Sequence, residues 1–249
     1  MNMFTKSRQR QVGDGSSSGK ARRRGRPRGS TEQGARTQRQ LYGVAIKLIA
    51  SRGYEATTLR DIAKKADVSV GLLYRYFPSK RAVVLALYDE LSTEYATRAS
   101  SMEPGPWAVR FLFALKASLS VLARQRDTLV ALGPVLVGDA NEGLFAPATA
   151  SSRQRVQAVF EAAVQGAMDA PSPDDAAALG RLLYVLHLAV ILWWLLDKSP
   201  KQAATHRLIA MLERMLPIVS PTLRLEWARA FIRTAERLCR EGLFGESVD

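Results

Sequence analysis

The stretch GYEATTLRDIAKKADVSVGLLYRYFPSK, Gly53 to Lys80, decides the fold. A helix opens at Thr58, whose hydroxyl can cap free backbone N–H groups; Asp61, three residues on, makes a capping-box pattern with Asp in place of the usual Glu. Ile62, Ala63 and Ala66 give this helix a short apolar face, and the break after it falls at Asp67, a residue that tolerates left-handed backbone better than most. Ser69 is placed to cap a further helix of only about two turns, Val70 to Phe77, which Pro78 ends.

Working outward, Leu41, Ala45, Leu48 and Ile49 mark one face of a helix beginning near Gln33, and Gly53 is placed to stop it, with Tyr54 as the hydrophobic closure. On the other side Ser79 begins a longer helix through Val83, Leu87, Leu91 and Tyr95 toward Met102. A helix, a tight turn and a short second helix, braced before and after, is a helix-turn-helix. A short helix of this kind fits the DNA major groove, where its first residues meet base edges while the preceding helix meets the backbone. At helical spacing Leu73 and Phe77 dock inward, whereas Val70, Gly71, Tyr74, Arg75 and Tyr76 project outward. Gly71 permits close approach, the Tyr hydroxyls can donate to phosphate oxygens, Arg75 can fork onto a guanine or a phosphate, and Lys80 adds a phosphate contact. Tyr and Phe at this spacing would by themselves mean core; the complete pattern carries the nucleic-acid reading.

The same segment, continued to Tyr88, resembles the DNA-binding module of TetR-type transcriptional regulators, in which a T-x-x-D/E-I-A helix, a turn, a GxLYxYF recognition helix and an F-x-S/N-K connection recur. The likeness covers about residues 35 to 95. It implies a homodimeric, all-helical regulator, usually a repressor, whose divergent C-terminal half senses a small molecule. By position, Thr58 and Tyr76 would touch phosphates, Val70, Gly71, Leu72, Tyr74 and Arg75 would face the groove, and Lys80 would hold the backbone. The chain departs from the family at Asp67, where glycine is usual, and at Val70 and Leu72, which cannot hydrogen-bond bases. Direct readout then rests on Arg75 and on apolar contact with thymine methyls.

The net charge of +13 over 249 residues is concentrated at one end. Residues 1–30 carry nine Lys or Arg against Asp14 alone, residues 31–90 add a net +4, and the remaining residues contribute only +1. Charge so placed recruits a polyanion: nucleic acid first, an acidic membrane surface second. Residues 1 to about 32 are Gly, Ser, Arg and Lys with almost nothing apolar, a basic arm that cannot bury enough surface to fold alone. Within it, RGRP carries Arg24 and Arg26, followed by Arg28; this core resembles an AT-hook, a motif that lies in narrow A·T-rich minor grooves, with a nonspecific polybasic tail as the other reading. The N-terminus has no apolar signal region, and one cysteine, Cys239, excludes an internal disulfide and fits a reducing, cytoplasmic setting. A solitary thiol could sense oxidants or be incidental.

Beyond Pro104 the spacing stays helical, with helices expected near 106–125, 127–137, 149–168, 174–197, 201–216 and 222–241. The fold class is therefore all-α, with about ten helices: an arm (1–32), a helix-turn-helix domain (33–80), a connecting helix (81–103) and a helical ligand-sensing and dimerisation domain (104–249). LLYVLHLAVILWWLL, Leu182 to Leu196, is apolar all round, so one face packs within the subunit and another against a partner. At fifteen residues, interrupted by His187, the run is shorter than the roughly 18 expected of a membrane span. The resemblance assigns the dimer interface to helices 174–197 and 201–216, and two copies reading the half-sites of a palindromic operator would supply the specificity one short helix lacks. Trp107, Phe111, Phe113, Phe145 and Phe160, with Tyr184 and His187 of the long helix, are candidate lining for a small-molecule pocket, or ordinary helix packing. With few charges there, the ligand would be uncharged and hydrophobic or aromatic. His187 reads first as a satisfied buried histidine and second as a ligand contact. No catalytic constellation, metal-ligand spacing or cofactor loop appears, so the expectation is a non-enzymatic regulator without cofactor. An architectural DNA-binding protein using the arm without a ligand is the alternative.

Overall fold

The computed structural model describes residues 32–138 and 143–245; the basic arm, with Arg24, Arg26 and Arg28, lies outside the described residues. The first helix, α1 (Glu32–Arg52), closes on Gly53, which takes φ +88° and donates its N–H to the Ile49 carbonyl at 2.9 Å. Tyr54 then turns inward and is buried. At the next boundary the capping box forms: the Asp61 N–H donates to Thr58 Oγ1 at 3.1 Å and the Thr58 N–H to Asp61 Oδ2 at 3.0 Å. These bonds open α2 (Leu59–Lys65), and the Thr58 hydroxyl, followed by the Thr58 N–H, donates to the Asp61 carboxylate and holds it below its ordinary pKa. Asp67 adopts φ +53°, so the turn uses left-handed backbone without glycine. Ser69 caps α3 (Val70–Tyr76), accepting from the Leu72 N–H, and Ser79 caps α4 (Lys80–Ala99), accepting from the Ala82 N–H.

Ile49, Ile62, Leu73, Phe77, Val83, Val84 and Leu87 form the core of this N-terminal unit. The aliphatic face of α4 carries that core onward through Leu91 and Tyr95 into the C-terminal helices, so one 20-residue helix belongs to both regions.

The C-terminal region contains α5 (Trp107–Leu122), α6 (Arg126–Ala131), α7 (Gly133–Gly138), α8 (Ala150–Gln165), α9 (Pro173–Leu196), α10 (Ala203–Val219) and α11 (Glu226–Cys239). The described residues thus hold eleven α-helices and no strand. The single helix expected at 127–137 is two short ones, because Pro134 has no N–H to continue the ladder from α6 and Gly133 supplies the break. Conversely, α10 runs past Leu216 and takes Pro217 into its last turn.

At the α8–α9 crossing Gly180 leaves no room for a side chain: a Cβ there would lie 2.7 Å from Glu161 Cα. At 24 residues α9 is long and apolar enough to cross a bilayer by length and composition, so the shortness of its apolar run does not argue against a span. Ten of its residues are buried, and it packs against α8, α11, α6 and α5. Its start is fixed electrostatically as well as by Ser172: buried Asp175 accepts from Ser172 Oγ at 2.7 Å and from Arg233 of α11 at 2.8 Å. Arg181 of α9 pairs with Glu236 of α11 at 2.5 Å. At the other end Arg126 donates to the last carbonyls of α9, and Asp197 gathers Ser199 and Thr205, whose hydrogen bonds keep its carboxyl well below the usual carboxylate range.

Candidate nucleic-acid interface and ligand cavity

The short helix α3 is amphipathic in the sense its sequence requires. Leu73 and Phe77 are buried, while Val70, Gly71, Tyr74 and Arg75 are exposed, Tyr74 at 50%. These four residues make a continuous outward face on a helix anchored by two side chains. Leu72 and Tyr76 are only half-exposed, and Tyr76 packs against the core, so of the four groove and phosphate residues on α3 after Gly71 these two present an edge rather than a whole side chain. A Cβ at Gly71 would meet nothing within 4 Å in the free protein, so glycine is not required there by internal packing. Thr58 is exposed at the N-terminus of α2, with its hydroxyl bonded to Asp61 at 2.5 Å.

Lys80 makes contacts within the fold that its sequence position does not announce. Its ammonium donates to the Tyr54 carbonyl at 2.6 Å, sits 4.0 Å above the Tyr54 ring, and lies 3.9 Å from the Glu55 carboxylate. The side chain is a brace between the α1–α2 junction and α4, reached across 26 residues of sequence; a phosphate would have to compete with these partners.

In the C-terminal region a cavity of about 790 Å³ lies between α4, α5, α6, α7, α8 and α9. Tyr88, Leu91 and Tyr95 of α4 form one side, Ser118, Val121 and Leu122 of α5 another, and Tyr184, His187, Leu188 and Ile191 of α9 a third. Among the described residues its wall carries one charged side chain, Arg153. The volume is in the range of sites that enclose drug-sized ligands.

Of the expected lining residues, Phe145, Tyr184 and His187 are on the wall. Trp107, Phe111 and Phe160 are not: all three are buried in the packing between helices, with Phe111 and Phe160 centroids 5.9 Å apart. Phe113 is on the exposed side of α5. The first two turns of α5 face α8, and only its later turns reach the cavity, a distribution that periodicity cannot resolve. His187 is buried and touches both settings. Its Nε2 lies 2.7 Å from Ser118 Oγ, its ring centroid is 4.6 Å from that of Phe160, and burial lowers its pKa to about 3, so the ring is neutral. Sequence reading missed α4 as a cavity wall, because Tyr88, Leu91 and Tyr95 continue the same helical stripe that serves as core further up.

A third feature is apolar and outward. Leu192, Trp193 and Leu196 of α9, Met211, Met215, Ile218 and Val219 of α10, and Trp227, Phe231 and Leu238 of α11 are all exposed. Trp227, Phe231 and Leu238 recur at helical spacing opposite the buried Ala228 and Ile232, so α11 joins the two helices expected to carry an interface.

Comparison with known proteins settles the family. Residues 41–87 match the family of bacterial regulatory proteins of the tetR type. Over 183 residues the chain is 30% identical to the HTH-type transcriptional repressor KstR of Rhodococcus jostii, covering 72% of this chain and 82% of that one. The chain belongs to the TetR family. A KstR of Mycobacterium tuberculosis is 33% identical over 185 residues, covering 72% of this chain and 81% of the relative. A TetR-family transcriptional regulator from Streptomyces coelicolor shares the fold, with a TM-score of 0.57 at 21% identity over 81% of this chain and 88% of the other. As a TetR-family protein the chain is an all-helical transcriptional regulator with an N-terminal helix-turn-helix that binds DNA.

Proposed function

We propose that this TetR-family regulator is a cytoplasmic homodimeric repressor that a small hydrophobic ligand releases from a palindromic operator. The observation that carries the reading is the double membership of α4. Its first turns place Val83, Val84 and Leu87 in the helix-turn-helix core, and its later turns place Leu91 and Tyr95 in the cavity wall. A ligand that prefers one position of α4 thereby prefers one placement of α3, and in a dimer that placement sets the half-site spacing. Both KstR relatives are named repressors, which gives the sign of regulation.

In this reading Val70, Gly71, Leu72, Tyr74 and Arg75 enter the groove, Thr58 and Tyr76 meet phosphates, and the arm arginines Arg24, Arg26 and Arg28 follow the minor groove. Lys80 is a positioning residue that keeps the short helix in place. Two copies pair through the exposed apolar faces of α9 and α10, with α11 at their margin; left open to water, such a surface would favour association.

The test is selection of genomic fragments by purified full-length protein, by protein lacking residues 1–30, and by Arg75→Ala. One or a few palindromic sites, retained with lower affinity without the arm and lost or relaxed in Arg75→Ala, support the repressor. Broad A·T-rich coverage that disappears with the arm would instead identify an architectural protein. Unchanged site selection by Arg75→Ala would remove that residue from the reading face.

A further inference from the structure

The cavity is not closed by its own chain. Val130 of α6, Val137 of α7 and Leu192 and Leu196 of α9 line its wall and are exposed at the protein surface as well, Leu196 at 65%. The wall therefore runs out into water along three helices, and it does so through apolar side chains. Sites built for apolar ligands bury most of the ligand's surface. A ligand lying in this one would keep an edge in water, against a rim that itself gains nothing from being wet.

The rim belongs to a larger surface on α9. Val185, Ala189, Leu192 and Leu196 recur at helical spacing and form one stripe, all of it on the cavity wall. Leu182, Leu186, Ala189 and Trp193 form the neighbouring stripe, of which only Ala189 lines the cavity, and its members are exposed or half-exposed. From Leu182 to Leu196 no Asp, Glu, Lys or Arg interrupts either stripe. A surface without charge is complementary to its own copy under two-fold symmetry, because no like charges meet across the axis. Whatever seats on Trp193 also reaches Leu192 and Leu196, its neighbours on the helix.

We propose that the effector cavity is completed by a second copy of the chain: pairing through α9 and α10 lays the partner over the open rim, so that each ligand is enclosed by two chains and binds the dimer more tightly than the monomer. The inference rests on the pairing proposed above and adds the ligand site to it. By linkage, a ligand enclosed in this way also holds the two copies together. Release from the operator then proceeds with the dimer intact, by a change in its setting and not by its dissociation.

The experiment titrates full-length protein with N-phenyl-1-naphthylamine, an uncharged fluorophore that brightens in apolar surroundings, while sedimentation velocity reports the mass. Trp193→Glu and Met211→Glu each place a charge on the pairing face at an exposed residue outside the cavity wall. Both variants should be monomeric, with the parent's helix content by circular dichroism. Both should bind the fluorophore about tenfold more weakly, the loss expected where the missing wall re-exposes about 60 Å² of it at about 25 cal/mol per Å². The parent supplies the same readout without substitution: affinity for the fluorophore should fall as protein is diluted through dimer dissociation, and saturating fluorophore should move that dissociation to an at least roughly tenfold lower concentration. Monomeric variants or diluted parent that bind as tightly as the dimer would overturn the shared cavity and leave the pairing face standing. A dimer that survives both substitutions would overturn pairing through α9 and α10, and the shared cavity with it. A parent dimer that binds no fluorophore would remove both the cavity as effector site and its completion by the partner.

Discussion

Replacing Gly180 by alanine should destabilise this protein, against the rule that Gly→Ala in a helix interior stabilises it. Gly180 lies in α9 where that helix crosses α8, and the new Cβ would sit 2.7 Å from Glu161 Cα and 3.1 Å from Glu161 N and Cγ. Carbon atoms in contact prefer about 3.5–4.0 Å, so the helices must part by about 1 Å. The nearest obstacle is backbone and cannot rotate away. Inserting a methyl into a packed contact costs about 1–3 kcal/mol, and the helix-propensity gain of about 1 kcal/mol offsets only part of it. A net loss of up to about 2 kcal/mol lowers Tm by up to about 8 °C for a domain of this size. The internal control is Gly43→Ala in α1, where a Cβ meets nothing within 4 Å and the propensity term acts alone, raising stability by up to about 1 kcal/mol. Thermal melts followed by circular dichroism at 222 nm, on both variants and the parent, give the comparison. If Gly180→Ala melts at or above the parent, as Gly43→Ala should, the tight α8–α9 crossing is not what places glycine there.

Asp67→Gly should raise stability by about 1 kcal/mol, since Asp67 holds φ +53° and a left-handed L-residue costs about that much; denaturant melts check it, and an unchanged midpoint would mean Asp67 is compensated locally. Stability should also depend on His187. Its folded pKa is lowered to about 3 by burial, below the unfolded value, so its contribution is complete above about pH 6.5 and declines as pH falls toward 3, by about 1.4 kcal/mol per unit. Between pH 6.5 and 5, before carboxylates begin to titrate, His187→Gln should flatten that slope in urea titrations, and an unchanged slope would refute the assignment.

The helix-turn-helix was legible because its determinants are local. Thr58 with Asp61, Ser69, Ser79 and Gly53 set helix ends through bonds that span three or four residues, and Leu73 and Phe77 share a face by helical geometry alone. Those same short-range rules placed Tyr74 and Arg75 outward. The bracing contact of Lys80, expected by resemblance to hold the DNA backbone, was not legible, because its partner, the Tyr54 carbonyl, is brought within 2.6 Å only by the packing of α4 against the α1–α2 junction.

The amino-acid sequence by itself therefore determined the helices of the N-terminal unit, the turn, the two anchors of the reading helix, and the polyanion-directed charge of the first third. Tertiary structure alone decided which apolar residues are core, cavity wall or outer surface. Trp107, Phe111 and Phe160 pack between helices, Tyr88 and Tyr95 line a cavity, and Trp227 and Phe231 face outward, although all are aromatic residues on helices. Periodicity reports that a helical face avoids water; what covers that face depends on how helices distant in sequence cross, and here the approach of α8 to α9 at Gly180 is one of the contacts that sets it.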